Sequence, residues 1–253
     1  MLKGKKGLIL GIANERSIAW ACAQVLKKMG ADFGVNYLNE SLEKRVRPLA
    51  ESIGADFIEK CDITNEYEVQ GLFETAAKTY GQLDFIIHSV AYADKAALSG
   101  NISEVTKEAF SQALQISSWS FLCVAKYAKP LLNEGASLLT MTYYGSQKAV
   151  TNYGIMGVAK AALEAEVRYL AAELGTEKDV RVNAISAGPI RTLAASGIKN
   201  FSSFLKLYQK ECSLSHPLSA EEVANTAAFL LSPMASAITG QIIYADLGFS
   251  ANV

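Results

Sequence analysis

The sequence has few of the residues that build metal or disulfide frameworks. Four cysteines and two histidines occur among 253 residues. Cys22, Cys61, Cys123 and Cys212 lie far apart with no C-x-x-C pair, and only His88 and His216 could join them as ligands. A disulfide scaffold and a zinc site are both poor readings, and no metal is expected. Charge is sparse and balanced: 24 basic and 25 acidic residues leave a net −1 and a pI near 6.2. A nucleic-acid partner would need a surplus of clustered Lys and Arg that is missing here. No unbroken apolar run reaches the roughly 20 residues of a membrane span. The stretch Met1 to Gly11 joins a basic start directly to an apolar run, without a cleavage region of the signal-peptide kind. These absences point to a cytoplasmic protein, with no membrane or nucleic acid as partner, that handles a small ligand.

Half of the residues are hydrophobic, enough for a large core, and composition excludes disorder. At this length one α/β domain is the default. Short apolar runs alternate with longer helical patterns, as in repeated βαβ units. Strands are predicted at Gly7 to Leu10, Asp32 to Tyr37, Phe57 to Lys60, Leu83 to Ser89, Ala136 to Met141, Val180 to Ser186 and Gln241 to Tyr244. Helices are predicted at Ser17 to Met29, Ser41 to Ile53, Glu66 to Tyr80, Ser103 to Asn133, Tyr153 to Leu174 and Ser219 to Leu231. The last opens on a capping box, Ser219 with Glu222. The fold expected is a single-domain Rossmann-type, doubly wound parallel sheet of about seven strands with helices on both faces. No internal repeat or low-complexity linker breaks it. Residues 193–218 depart from the alternation after a strand end, where open α/β sheets place ligands, and read as a substrate lid.

The first strand ends at Gly11-Ile12-Ala13-Asn14-Glu15-Arg16-Ser17-Ile18-Ala19. G-x-G-x-x-G is missing, but a glycine at the strand end permits a tight turn, and Ser17 at a helix start can donate to a phosphate. A plain strand-to-helix turn would read the same. After the second strand, Asn36-Tyr37-Leu38-Asn39-Glu40 offers neither a strand-end carboxylate for a ribose nor an Arg for a 2′-phosphate. Lys44 and Arg45, one turn on, read as solvated helix charges, so NADH is favoured over NADPH. Asp62 could accept from an adenine amino group, with Ile63 packing on the ring, or could simply open the following helix. His88 reads as a packed strand residue.

The informative stretch runs from Thr140-Met141-Thr142-Tyr143-Tyr144-Gly145-Ser146 to Asn152-Tyr153-Gly154-Ile155-Met156-Gly157-Val158-Ala159-Lys160. Tyr143, Tyr153 and Lys160 form a Tyr-x9-Tyr-x6-Lys set. This set resembles that of the enoyl-acyl-carrier-protein reductases, the divergent branch of the short-chain dehydrogenase/reductase superfamily. The resemblance extends over nearly the whole chain, through Gly11 with Ser17-Ile18-Ala19, Asp62, Ser89-Val90-Ala91-Tyr92-Ala93, and Arg181 to Ala194. Spacing adds its own argument: residues seven apart on a helix differ by about 20° in direction and about 10.5 Å in height. Tyr153 and Lys160 would then share a face and grip opposite sides of a ribose.

The resemblance implies NADH-dependent reduction of the 2,3-double bond of enoyl thioesters carried on acyl carrier protein, in fatty-acid elongation, by a homotetramer. It implies Tyr143, Tyr153 and Lys160 as catalytic residues, Tyr153 donating to the thioester oxygen and Lys160 orienting the ribose. It implies cofactor contacts from Gly11, Ser17, Ile18, Leu38, Asp62, Ile63, Val90, Lys160, Ile190, Arg191, Thr192, Leu193 and Ala194. Substrate contacts fall to Ala93, Tyr143 and Tyr153. Two other readings stay open. One is a short-chain carbonyl reductase, against which Met156 stands where Tyr-x3-Lys would place the acid tyrosine, with Tyr143 where its serine would fall. The other is a non-catalytic NAD-binding regulatory protein.

The sequence departs from the family in the lid. Asn200-Phe201-Ser202-Ser203-Phe204 has serines where a basic pair is common, although Lys199 and Lys206 flank it, and Ser213-Leu214-Ser215-His216 replaces a frequent Pro-Leu-x-Arg. A weaker positive patch reduces electrostatic steering of an acidic carrier and leaves the hydride chemistry untouched.

Overall fold

The computed structural model describes residues 1–192, 205 and 208–253. Seven strands, β1 (Lys6–Leu10), β2 (Asp32–Tyr37), β3 (Ile58–Lys60), β4 (Leu83–His88), β5 (Leu132–Thr142), β6 (Arg181–Ala187) and β7 (Ile242–Ala245), form one sheet. Its order is β3-β2-β1-β4-β5-β6-β7, and every pairing is parallel. Alternate residues of a strand face opposite sides, so Leu8 and Leu10 enter one apolar layer while Ile9 enters the other. Helices α1 (Ile18–Lys28) and α2 (Glu40–Ser52) cover the Ile9 side, together with the late helix Ala220–Leu231. Helices α3 (Glu66–Tyr80), α6 (Ser120–Ala128) and α7 (Gly154–Lys178) cover the other. Both faces are thereby sealed, as a parallel sheet requires.

The long helix expected from Ser103 to Asn133 is not one helix. A short α4 (Lys95–Ser99) precedes it, and a 3₁₀ turn at Ile102–Glu104 leads to α5 (Lys107–Leu114), whose first turn is capped by Thr106 Oγ1 accepting from the Ala109 N–H at 3.2 Å. A π-turn at Gln115–Trp119 then offsets α5 from α6. The offset is held by tertiary bonds: Ser117 Oγ accepts from the Tyr92 N–H and donates to the Tyr92 carbonyl, and Ser118 Oγ donates to Glu166. Pro130 closes the run in a 3₁₀ turn, so β5 starts at Leu132, four residues before the expected Ala136. The register between β4 and β5 slips there, between Leu83 and Phe85.

β2 and α3 occupy the expected residues, and most other boundaries move by one to four. Tyr153 sits just outside α7, with φ −127° and ψ 1°, and accepts the first helical bond from Gly157. The capping box at Ser219 and Glu222 is present as expected and opens α8 (Ala220–Leu231). A final turn, α9 (Phe249–Asn252), ends the chain described. The larger part of the lid segment, residues 193–204, 206 and 207, lies outside the described residues, and with it Leu193, Ala194, Lys199 and Lys206.

Candidate active site

Parallel strands end on one edge of a sheet, so the residues that follow β1, β2, β3, β4, β5 and β6 are gathered there: Gly11, Leu38, Asp62, Val90, Tyr143 and Ile190. Strand order reverses between β1 and β4, which opens a crevice at that edge. Gly11 lies in it with φ +99°, and a Cβ there would come within 2.2 Å of the Ser89 carbonyl oxygen. Only glycine lets the chain turn this close to β4. The turn is held by Asn36, whose Oδ1 accepts from the Gly11 N–H at 3.2 Å while its Nδ2 donates to the Cys61 carbonyl at 2.9 Å. Sequence reasoning missed Asn36; its signal was an amide inside a buried strand, where a polar side chain needs partners. Ser17 Oγ accepts from the N–H groups of Ala13 and Asn14 at 3.0 and 3.1 Å, shaping the loop rather than capping α1. Its own hydroxyl hydrogen stays available to a ligand.

Asp62 Oδ1 accepts from the Thr64 N–H and hydroxyl at 2.9 and 2.7 Å, a local turn; it does not open the following helix, the alternative expected for it, because α3 is capped by Asn65. Ile63 is buried in the core beneath β1, so little of its surface faces the crevice. Leu38 is exposed, and Ile18, Val90 and Ile190 are half-buried around the edge. Arg191 is exposed, and Thr192 follows it with its N–H on the Ile190 carbonyl. His88 is fully buried between Thr140 Oγ1 and Ser120 Oγ, at 3.0 and 2.9 Å. Burial, reinforced by the charge of Lys160, pushes its pKa down to about 3, so it is a neutral packed residue as expected.

The Tyr143 and Tyr153 rings pack edge to face, 4.9 Å apart. The Tyr143 hydroxyl is buried and makes no hydrogen bond within the described residues, an arrangement that is stable only when something else meets it. Burial raises both phenol pKa values above the ordinary tyrosine range, with a neighbouring tyrosine and, for Tyr153, Glu164 adding to it. Both groups therefore remain proton donors at any physiological pH. Gly145 lies against the Tyr153 ring; a Cβ there would come within 2.4 Å of it. Tyr153 also packs against the small cluster that holds Ala93, Met156 and Ala159. Met156 is thus a core residue, with no acid at its position.

Lys160 is 5% exposed, and its ammonium donates to the Met141 carbonyl at 2.8 Å, at the carboxyl end of β5. Burial lowers its pKa to about 8, opposed by Glu164 and Glu166. One donor is committed to the backbone, and the others suit a pair of vicinal hydroxyls such as those of a ribose. Among the described residues there is no cluster of His, Cys, Asp and Glu fit for a metal. No described helix is long and apolar enough to cross a membrane.

A dinucleotide fits the crevice at such a reversal of strand order, and a protonated phenol near a buried lysine with donors to spare suits delivery of hydride to an acceptor that gains negative charge. The molecule is therefore a dinucleotide-dependent oxidoreductase. Comparison with known proteins narrows this. The family model described as Enoyl-(Acyl carrier protein) reductase matches residues 11–250, and the chain belongs to that family. It is 46% identical over 250 residues to the enoyl-[acyl-carrier-protein] reductase [NADH] FabI of Rickettsia typhi, covering 99% of this chain and 95% of the relative. It is 47% identical over 251 residues to the protein of the same name from Synechocystis, covering 98% and 97%. Among solved structures, the Aquifex aeolicus enoyl-[acyl-carrier-protein] reductase (NADH) superposes with a TM-score of 0.95 at 40% identity, covering 98% of this chain and 97% of that one. The Anaplasma phagocytophilum reductase, solved in complex with NAD, gives 0.93 at 39% identity, covering 99% and 93%.

Proposed function

We propose that this chain is an NADH-dependent enoyl-acyl-carrier-protein reductase that saturates the 2,3-double bond of trans-2-enoyl thioesters in fatty-acid elongation. The observation that carries the reading is the pair of packed tyrosines beside buried Lys160, with Met156 in the core where a carbonyl reductase of this class would need its acid. Its family membership and the names of its relatives agree with it.

NADH, when bound, supplies the hydride that reaches the β-carbon of the enoyl group. Charge then moves through the conjugated system onto the thioester oxygen, and the enolate takes a proton at the α-carbon, which completes the saturation. Tyr153 donates a hydrogen bond to that oxygen, a contribution of about 3 kcal/mol for one donor in a dry site. Lys160 holds the ribose hydroxyls and adds positive potential below the site. Tyr143, packed on the Tyr153 ring, lines the acyl-chain side with Ala93. Gly11, Ser17, Ile18, Leu38, Asp62, Ile63, Val90 and the segment from Ile190 to Ala194 make up the cofactor wall, and among its described residues Ile63 has the least exposed surface. The preference for NADH is supported by Arg47, the basic side chain packed on Tyr37 at the end of β2. It is bonded to Glu43 at 2.6 Å and is therefore already paired.

The carrier delivering the acyl group is acyl carrier protein, the lid spans residues 193–218, and the protein works in the cytoplasm as a homotetramer. Exposed apolar side chains on α6 and α7, Leu122, Val158 and Tyr169, support assembly through these helices. The test is NADH oxidation with a trans-2-enoyl thioester beside the matching 3-ketoacyl thioester, and with NADPH in place of NADH. Turnover of the enoyl substrate alone is expected. Turnover of the ketone would move the chain to the carbonyl reductases, and NADH binding without either reaction would make it a regulatory protein.

A further inference from the structure

Glu164 lies one helical turn beyond Lys160 on α7 and is 5% exposed. A carboxylate is rarely buried to this degree unless it is paired and hydrogen-bonded. Here Oε1 accepts from the Thr142 hydroxyl at 2.7 Å and from the Ser146 hydroxyl at 2.5 Å. Those two residues bracket Tyr143, Tyr144 and Gly145, the stretch that carries one active-site tyrosine and packs against the other. Lys160 grips the same stretch at its base through the Met141 carbonyl. A buried cation and a buried anion, four residues apart on one helix, therefore hold the two ends of the segment from Met141 to Ser146.

We propose that Glu164 is a positioning residue with two tasks: it fixes the Tyr143 segment on α7 through Thr142 and Ser146, and it keeps Lys160 protonated. The second task rests on the reading of Lys160 as the ribose-holding residue; the first rests on geometry alone. Lys160 is buried, and burial favours the neutral amine. Among the described residues, the charged and titratable groups that face it are Glu164 and Glu166 from α7 and His88 from β4. His88 is neutral, so it offers no counter-charge, and Glu164 is the larger of the two acidic influences. Glu164 itself is faced by Tyr153 and by Tyr244 of β7, both phenols whose burial and negative neighbours hold them protonated. An opposite charge close to an ionisable group shifts its pKa by about one unit or more. Removing the charge of Glu164 lowers the pH at which Lys160 loses its proton.

The experiment compares the native chain with Glu164→Gln, Glu164→Asp and the double variant Thr142→Val with Ser146→Ala. Binding of NADH is followed by its fluorescence from pH 6 to 10, turnover of a trans-2-enoyl thioester over the same range, and folding by circular dichroism. In Glu164→Gln the alkaline midpoint of NADH binding should fall by about one pH unit. Glu164→Asp keeps the charge and loses the reach, so its midpoint should stay near that of the native chain while KM for the thioester rises. The double variant keeps the charge and should show the same KM effect with an unmoved midpoint. A midpoint in Glu164→Gln that stays at the native value, in a folded protein, would overturn the electrostatic task. Equal loss in all variants, with no separation of midpoint from KM, would reduce Glu164 to a packing residue. If Glu164→Gln does not fold, a midpoint in Glu164→Asp that drops as far as one unit would also sink the proposal. Because NADH binding is read separately, failure of the native chain to reduce any enoyl thioester would count against the proposed reaction and leave the test of Glu164 intact.

Discussion

Tyr143 and Tyr153 meet edge to face at 4.9 Å and 71°, yet their hydroxyls have different surroundings. That of Tyr143 is buried without a partner among the described residues, whereas Tyr153 stands at the mouth of α7, half-buried. The two variants should differ accordingly. Tyr153→Phe removes the donor to developing charge and is expected to lower kcat by 10²- to 10³-fold, on the order of one lost oxyanion donor, with NADH affinity retained. Tyr143→Phe removes a buried hydroxyl that no described residue meets and is expected to stabilise the free protein by about 1 kcal/mol in urea denaturation, at a cost mainly in KM.

Gly11→Ala places a methyl 2.2 Å from the Ser89 carbonyl at a φ of +99°. Either β1 moves away from β4 or the turn is remade, and the Asn36 bond to the Gly11 N–H is lost in both cases. A destabilisation of about 2 kcal/mol or more is expected, together with loss of measurable NADH binding. Calorimetric titration with NADH checks this directly.

Burial holds the His88 pKa near 3, below its value of 6.5 in the unfolded chain. Between those limits the unfolded state binds one more proton than the folded state, so stability falls as the pH drops. The slope from this group is at most about 1.4 kcal/mol per pH unit. Urea denaturation at pH 7 and pH 5 should show the native chain losing about 2 kcal/mol more than His88→Gln, which carries no titrating group. Equal losses would assign the acid limb to other residues.

Phe249 stacks on Tyr208 at 4.4 Å and meets Tyr144 edge-on at 5.5 Å. The tail also receives Leu214 N–H on the Leu247 carbonyl and donates from Asn252 to the Glu211 carbonyl. It ties the described base of the lid segment to the neighbour of Tyr143. Phe249→Ala is expected to cost about 2 kcal/mol of stability and to raise KM for the thioester several-fold, with NADH affinity unchanged. Phe249→Tyr should restore both, as measured by steady-state kinetics and thermal melting.

Seven strands, their parallel pairing and the capping box at Ser219 were legible because short apolar runs, helical periodicity and end signals are local properties. The Tyr-x9-Tyr-x6-Lys set was legible because its spacing is distinctive, and the failure of Met156 to supply an acid could be read from the same few residues. The stretch from Ser103 to Asn133 was misread as one helix because Ser117 and Ser118 act through Tyr92 and Glu166, partners 25 and 48 residues away. Nothing in the local periodicity marks a π-turn that such bonds hold in place.

The sequence by itself determined the class of the fold, and it singled out the strand ends, the two tyrosines and the lysine that the candidate site brings together. Only the tertiary structure decided what those groups are. Lys160 is a buried cation whose pKa is lowered to about 8, because α7 packs it beneath Met141, with Glu164 one turn on opposing that shift. Tyr153 is a firmly protonated donor because the Tyr143 ring and Gly145 close around it. Asn36 and Glu164 gain their tasks from partners brought from other strands and loops. The reason is physical: apolar periodicity is repeated along the chain and survives in the sequence, whereas desolvation and hydrogen-bond pairing depend on distances between segments that only folding sets.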